Sequence, residues 1–390
     1  MRLARRALLA GGAVAGLGAA AAGGAALVVR PGDPVPASFP SVGTGEATTP
    51  FHGNRQAGVT TEPPAHAAFV AFTLNRGSGR DTLRRMLRLL TDDVARLTRG
   101  EPALGDTDAQ LAVLPAALTV TFGFGPGLYR AAGLTSAVAD LPGFSIDRLQ
   151  DRWSGGDLLL QICADDALTV THAQRMLIKD ARPFAAVRWV QRGFRRSPGV
   201  HAAGFTQRNV FGQLDGTANP KDAAMETAVW APDDSTTVVV RRIRTEIETW
   251  DLLSVADKEA AVGRRMDSGA PLTGTAEHDE PDFTAVDDTG LPVMPDFAHV
   301  TRAHMTDPRF KILRRPYNYD EAPDSAGRPD SGLIFASYQA DIARQYLPIQ
   351  RRLAEKDLLN EWTTPIGSAV FAIPPGCSEG GWIGERFLDS

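Results

Sequence analysis

Apolar positions along this chain follow two rhythms. Runs over 67–74, 118–122, 157–164 and 184–191 are almost continuously apolar, four to eight residues long, and predict buried strands. Between the first two, Leu83, Met86, Leu87, Leu90, Val94 and Leu97 recur at i+3 and i+4, and Ser78-Gly79-Arg80-Asp81 offers a helix start, so an amphipathic helix is predicted there. A second helix is predicted over 169–179. The order is β-α-β, β-α-β, that of a ferredoxin-like unit. Gly123-Phe124-Gly125-Pro126-Gly127 lacks the Lys-Ser/Thr of a phosphate loop and the dinucleotide fingerprint, and reads as a turn into a helix.

The second half repeats the theme more loosely. Strands are predicted at 236–243, 311–315, 332–338 and 368–373. Ile247, Trp250, Leu252 and Leu253 can share one side of a helix, and another helix is predicted over 342–353. Residues 265–298, rich in Pro, Asp and Gly, predict a long surface excursion. The expected fold class is α+β, with two ferredoxin-like domains of antiparallel sheet and peripheral helices, at 62–220 and 221–390.

The pattern breaks at the N-terminus. Arg2, Arg5 and Arg6 precede 23 uncharged residues rich in Ala and Gly, from Ala7 to Val29. That length could span a bilayer, but so weak an apolar region after a twin arginine predicts a Tat-type export signal over 1–40. The protein would then be exported by the Tat translocase, already folded, and be secreted, periplasmic or attached to the cell envelope. Residues 41–61 read as a flexible lead-in.

Composition changes little of this. With 43% hydrophobic and 22% charged residues, the 390-residue chain can bury a large core. Without the four Arg and one Asp of residues 1–40, the 41 basic and 46 acidic residues fall to 37 and 45, a net charge of −8. That balance argues against a nucleic-acid partner. The two cysteines, Cys163 and Cys377, are too few for a cysteine metal site and read as unpaired thiols.

The densest candidate chemistry lies in Asn209-Val210-Phe211-Gly212-Gln213-Leu214-Asp215-Gly216-Thr217-Ala218-Asn219-Pro220. Asp215 stands between glycines, which allow the backbone to approach a ligand closely. Asp-Gly is also ordinary turn chemistry, so the motif gains weight only from His299, in Asp296-Phe297-Ala298-His299, and from Arg314, in Lys311-Ile312-Leu313-Arg314-Arg315-Pro316-Tyr317-Asn318-Tyr319. One imidazole, one carboxylate and one permanently charged guanidinium are what a haem peroxidase needs: an axial ligand, a proton-moving base and a cation for developing negative charge.

These segments, with Thr119–Gly127, Gly156–Ile162, Gly263-Arg264-Arg265, Gly332–Gln339 and Thr364–Ser368, resemble the dye-decolourising peroxidases, in the exported branch that includes the iron-uptake-associated haem peroxidases. The resemblance covers roughly residues 62–390. It implies a dimeric α+β barrel type of fold, with one haem b per chain held mainly by the C-terminal domain. It implies Asp215 as distal acid–base residue, Arg314 as distal arginine and His299 as proximal iron ligand. Gly216, Thr217 and Ala218 would pass the haem edge, and His304 would touch the cofactor. His304 is also the alternative ligand, because Thr301-Arg302 replaces the family's usual Arg-Leu. The acceptor for the proximal imidazole is expected at Glu361, with Asp341 second. Gln213-Leu214 departs from the family's common Phe-Lys.

The activity implied is oxidation of dyes, phenolics or other one-electron donors by H₂O₂ through a compound I intermediate. The alternative is a haem-handling role, a deferrochelatase releasing iron from haem, with iron-uptake components as partners. A homo-oligomer is expected under either. Trp362 and Tyr338 are candidate electron relays or simply core aromatics.

Overall fold

A computed structural model describes residues 44–200, 205–324 and 326–389. The export signal expected at 1–40 lies outside them. Among the described residues no helix is long and apolar enough to cross a membrane.

The first half runs β1 (His66–Leu74), α1 (Arg80–Leu97), β2 (Thr119–Phe124), α2 (Pro126–Ala132), β3 (Leu158–Ala164), α3 (Ala167–Ala181) and β4 (Ala185–Phe194). β2 and β3 are buried along their whole length, including the polar Thr119, Thr121 and Gln161, which is why neither carries a charged, solvent-facing edge of residues. The helix pattern read from 83–97 is the buried face of α1: Leu83, Met86, Leu87, Leu90, Val94 and Leu97 all enter the core. Pro126 starts α2 at a position where a missing N–H costs nothing.

The second half runs α4 (Asp222–Val229), β5 (Thr236–Thr245), α5 (Ile247–Asp251), α6 (Val255–Val262), α7 (His299–Ala303), β6 (Leu313–Arg314), β7 (Tyr317–Glu321), β8 (Asp330–Gln339), α8 (Leu347–Lys356), β9 (Thr363–Ile373) and α9 (Glu385–Leu388). The strand expected over 311–315 is only two residues, and the longer β7 follows it. Pro316 lies between the two and cannot donate to a ladder. Residues 265–298 carry no helix or strand, only isolated bridges.

The strands form one antiparallel sheet in the order β5-β9-β2-β3-β1-β4-β7-β8-β6, and β5 also pairs with β8, so the sheet closes on itself. Each half has its own ferredoxin-like strand order, β4-β1-β3-β2 and β9-β5-β8-β7. The halves join at two narrow seams, Phe124↔Ala372 and Phe194↔Asn318. The α+β fold class expected from the sequence is the one observed.

Residues 44–61 depart from the expected flexible lead-in. Phe51 and Val59 are buried in the two large apolar clusters. Gln56 Nε2 donates to the carbonyls of Phe122 and Pro374, and its Oε1 accepts from Phe122 N–H. Here a single buried amide completes backbone groups beside the β2–β9 seam, where the ladder is one residue pair long. Cys163 and Cys377 are both free and buried.

Candidate active site

β5 presents Arg241, Ile243 and Thr245 on one face of the second-half sheet, as the period of two requires. Leu333 and Phe335 of β8 lie beside them. Over this face, α7, α8 and the 209–219 loop enclose a cavity of about 400 Å³ that all these residues line, within the roughly 300–1,000 Å³ of cofactor and small-molecule sites.

Asp215, Arg314 and His299, 99 residues apart at the extremes of the first two, line this one cavity. Arg314 Nη1 donates to Asp215 Oδ1 at 2.8 Å. Among the described residues Asp215 Oδ2 accepts only a longer bond, 3.4 Å, from Asn209 Nδ2. The 209–219 loop is tightly pinned. Arg208 donates to the carbonyls of Gly212, Met266 and Asp267, and Val210 N–H donates to Asn318 Oδ1. Gly216 takes φ +137, a conformation closed to most side chains. After it, Asn219 Nδ2 donates to Arg314 C=O at 2.7 Å while Arg314 N–H donates to Asn219 Oδ1 at 3.0 Å. This reciprocal pair copies a backbone ladder and fixes Arg314 against the loop that carries Asp215.

His299 opens α7. Its Nδ1 lies 2.6 Å from Asp357 Oδ2, and Asp357 Oδ1 accepts from Leu359 N–H. With both oxygens engaged, the buried carboxylate is fixed, and so is the imidazole plane. Nε2 has no hydrogen bond among the described residues and belongs to a ring that lines the cavity. Burial pulls the His299 pKa down, but the charge and hydrogen bond of Asp357 outweigh it and the net shift is upward. The side chain is one-third accessible yet strongly desolvated, because the surface it exposes belongs to the cavity wall. The charges of Arg314 and Asp215 also reach it.

The structure therefore corrects the expected acceptor. Glu361 is exposed at the end of a short 3-10 turn, and Asp341 is exposed and caps the turn over Ile342–Tyr346 through Arg344 N–H. Asp357 sits between α8 and that 3-10 turn, where its carboxylate both caps the turn and faces α7. Nothing in the spacing of the acids at 355, 357 and 361 distinguishes it. Asn219 and Asn209 were also not anticipated.

Thr217 and Ala218 line the cavity, and Thr217 Oγ1 donates to Glu277 Oε1 from the long excursion. Gly216 supplies the turn without lining the cavity. His304 lines the outer part, exposed, with its ring 4.3 Å from that of Phe283. Burial, then Lys311 and Arg352, lower its pKa. Among the described residues no carboxylate hydrogen-bonds it, unlike His299, and the charge of Glu280 opposes the shift only weakly. Tyr338 is fully buried with its hydroxyl on Gln161 Oε1. Trp362 meets Trp250 edge-on.

Two family models match the chain: Dyp-type peroxidase, N-terminal, over residues 56–195, and Dyp-type peroxidase, C-terminal, over residues 206–378. The chain belongs to the Dyp-type peroxidase family. It is by that membership an oxidoreductase. It is 36% identical to a dye-decolorizing peroxidase of Thermobifida fusca, across 97% of this chain and 96% of that one. It is 34% identical to a deferrochelatase of Yersinia pestis, across 87% and 85%. Among solved structures it is similar to a DyP-type peroxidase from Cellulomonas bogoriensis (50% identity, 89% of this chain and 100% of that one, TM-score 0.87) and to one from Streptomyces coelicolor (40%, 90% and 100%, 0.86).

The residues of this DyP-type cavity fit a haem. Among the described residues no group of three or more His, Cys, Asp or Glu side chains could hold a bare metal ion. A porphyrin brings four ligands of its own and asks the protein for one imidazole with its second nitrogen anchored, which His299 and Asp357 provide.

Proposed function

We propose that this chain binds one haem b in the cavity and uses H₂O₂ to oxidise dyes, phenolics or other one-electron donors. The observation that carries the reading is the juxtaposition in one cavity of a carboxylate-anchored imidazole, His299 on Asp357, with the Asp215–Arg314 pair.

Bound haem supplies the iron at which peroxide is reduced. His299 Nε2 would ligate that iron, and Asp357 would hold the proton on Nδ1, fixing the tautomer and raising the basicity of Nε2. Arg314 engages Asp215 Oδ1, so Oδ2 is the oxygen left to take a proton from one peroxide oxygen and return it to the other. The Arg314 guanidinium would balance the negative charge that develops on the peroxide oxygens. Ile243, Leu333, Phe335 and Leu353 keep water from competing. Each turnover consumes one H₂O₂ and two one-electron donors and releases two waters. His304 contributes contact at the outer cavity rather than ligation, for want of an anchoring acid.

The test is the visible spectrum of the haem-loaded protein before and after H₂O₂. A transient oxidised species is expected, and Asp215→Ala or Arg314→Leu should abolish it while keeping the resting spectrum. Persistence of the transient in both variants would refute these roles.

A second reading, supported by the deferrochelatase relatives, is release of iron from haem, with iron-uptake components as partners. It needs His299 but not Asp215 and Arg314 together. Metal-free porphyrin as the product, unaffected by Asp215→Ala, would favour it.

We read residues 1–40 as a Tat signal, residues 62–220 and 221–390 as the two domains, and the mature protein as an exported homo-oligomer. Cell fractionation of an Arg5→Lys/Arg6→Lys variant, which should stay in the cytoplasm, tests the export route, and solution sizing tests the assembly.

A further inference from the structure

Among the described residues, three arginines line the cavity: Arg241, Arg264 and Arg314. Arg241 is paired with Asp147 and Arg314 with Asp215. Arg264 makes no ion pair among the described residues. Its guanidinium is held by one nitrogen only. Nη1 donates to the carbonyls of Gly269 and Glu277, each at 2.7 Å, which fixes the group against the long excursion. Nε and Nη2 make no hydrogen bond among the described residues, and neither is sealed from solvent. These two nitrogens form the edge of the planar fork that takes a carboxylate by two parallel hydrogen bonds.

Burial lowers the Arg264 pKa; Glu277 and Glu280 oppose the shift, and the charge of Arg314 adds to it. The Glu277 carboxylate is engaged by Thr217 Oγ1 instead. A partly desolvated cation beside a second cation is costly until an anion joins it. Gly263 decides where that anion sits. It ends α6 at φ +87, and a Cβ there would lie 3.3 Å from the Cβ atoms of Ala298 and Val300. The chain therefore passes directly against the residues on either side of His299, and it delivers Arg264 beside α7 while its charge still reaches Arg314. An anion on Arg264 accordingly belongs to a ligand that His299 also holds. The propionates of haem are such carboxylates. A free carboxylate donor offers the same group, but nothing ties it to the His299 side of the cavity.

We propose that Arg264 anchors the cofactor, its Nε and Nη2 taking a propionate carboxylate side-on at the flank of the cavity next to α7. The proposal rests on the haem reading of this cavity and holds for peroxidase and iron release alike.

The experiment compares haem with haem dimethyl ester, whose propionates are neutral, in absorption titrations of the apoprotein. Arg264→Met should weaken haem binding about 10–100-fold, the loss of a charge-assisted pair. It should leave the affinity for the ester unchanged, so the ratio of the two affinities falls by the same factor. Arg264→Lys keeps the charge without the fork; it should lower the ratio by less, and it serves if Arg264→Met folds poorly. The ratio is insensitive to a general loosening of the loop that Arg264 pins, which weakens both ligands together. A wild-type ratio in both variants would overturn this proposal alone, whether both affinities fall, as for a purely structural arginine, or neither does, as for one that serves a free carboxylate donor. Failure of the wild-type protein to bind haem would overturn the haem reading and this proposal with it.

Discussion

Asp357 Oδ2 lies 2.6 Å from His299 Nδ1, and its other oxygen is held by the Leu359 N–H. A short turn after α8 thus orients the imidazole on α7, across 58 residues of sequence. Loss of this carboxylate should be felt at the ligating nitrogen: Asp357→Ala is expected to weaken haem binding by about 10–100-fold. Titration of the apoprotein with haem checks this. Glu361→Gln and Asp341→Asn, at the exposed positions, should titrate as wild type.

Asp215 and Arg314 should behave as a coupled pair. The Asp215 carboxyl is 7% exposed and Arg314 25%. Arg314→Leu leaves a nearly buried carboxylate without its cation, and a loss on the order of 3 kcal/mol is expected. Asp215→Asn/Arg314→Leu should be less destabilised than Arg314→Leu alone, because it removes the stranded charge. Urea unfolding of the four proteins closes this cycle, and strict additivity would contradict the coupling.

Asn219 offers a prediction distant from the chemistry. Its amide makes two hydrogen bonds to the backbone of Arg314. Asn219→Ala should cost about 1–3 kcal/mol of stability, since those backbone groups lose their partners. It should lower the rate with H₂O₂ more than the affinity for haem, because it loosens Arg314 and leaves His299 alone. Equal losses in both would argue against the clamp.

A pH dependence unrelated to the cavity follows from Asp180 on α3. Burial, a hydrogen bond to Asp93 and the charge of Asp93 raise its pKa to about 7. Its proton supplies the donor that the buried Asp93 Oδ2 otherwise lacks. The folded state holds this proton more tightly than the unfolded chain, where the group titrates near 3.8. The contribution is therefore complete below that value and is lost as pH rises through about 7. Asp180→Asn should flatten the stability profile between pH 4 and 7. An unchanged slope would remove the Asp93–Asp180 pair as its source. Asp180 is half-exposed, so water moderates the effect.

Much of the fold was legible in the chain. Leu83 through Leu97 marked α1 because one face of a surface helix must be apolar, and the buried strands β2 and β3 stood out as uncharged, largely apolar runs. α4 and β7 were missed: Asp222–Val229 has few large apolar residues, and Tyr317–Glu321 ends in two exposed acids. At the site, the segments carrying Asp215, His299 and Arg314 stood out by their resemblance to those of a known family, and the structure brings the three side chains to one cavity. Asp357 could not be picked out, because its choice over Glu361 is made by the path of the chain after α8. Gln56 likewise looks like a linker residue until its amide is seen bonding Phe122 within β2 and Pro374 just after β9.

The central claim is that His299, anchored by Asp357, ligates the cofactor's iron. The most direct measurement is the absorption spectrum of haem-loaded His299→Gly with and without added imidazole. The account predicts a Soret band that is weakened and shifted in the variant and restored towards wild type when imidazole enters the vacated space. A variant spectrum identical to wild type and indifferent to imidazole would contradict it.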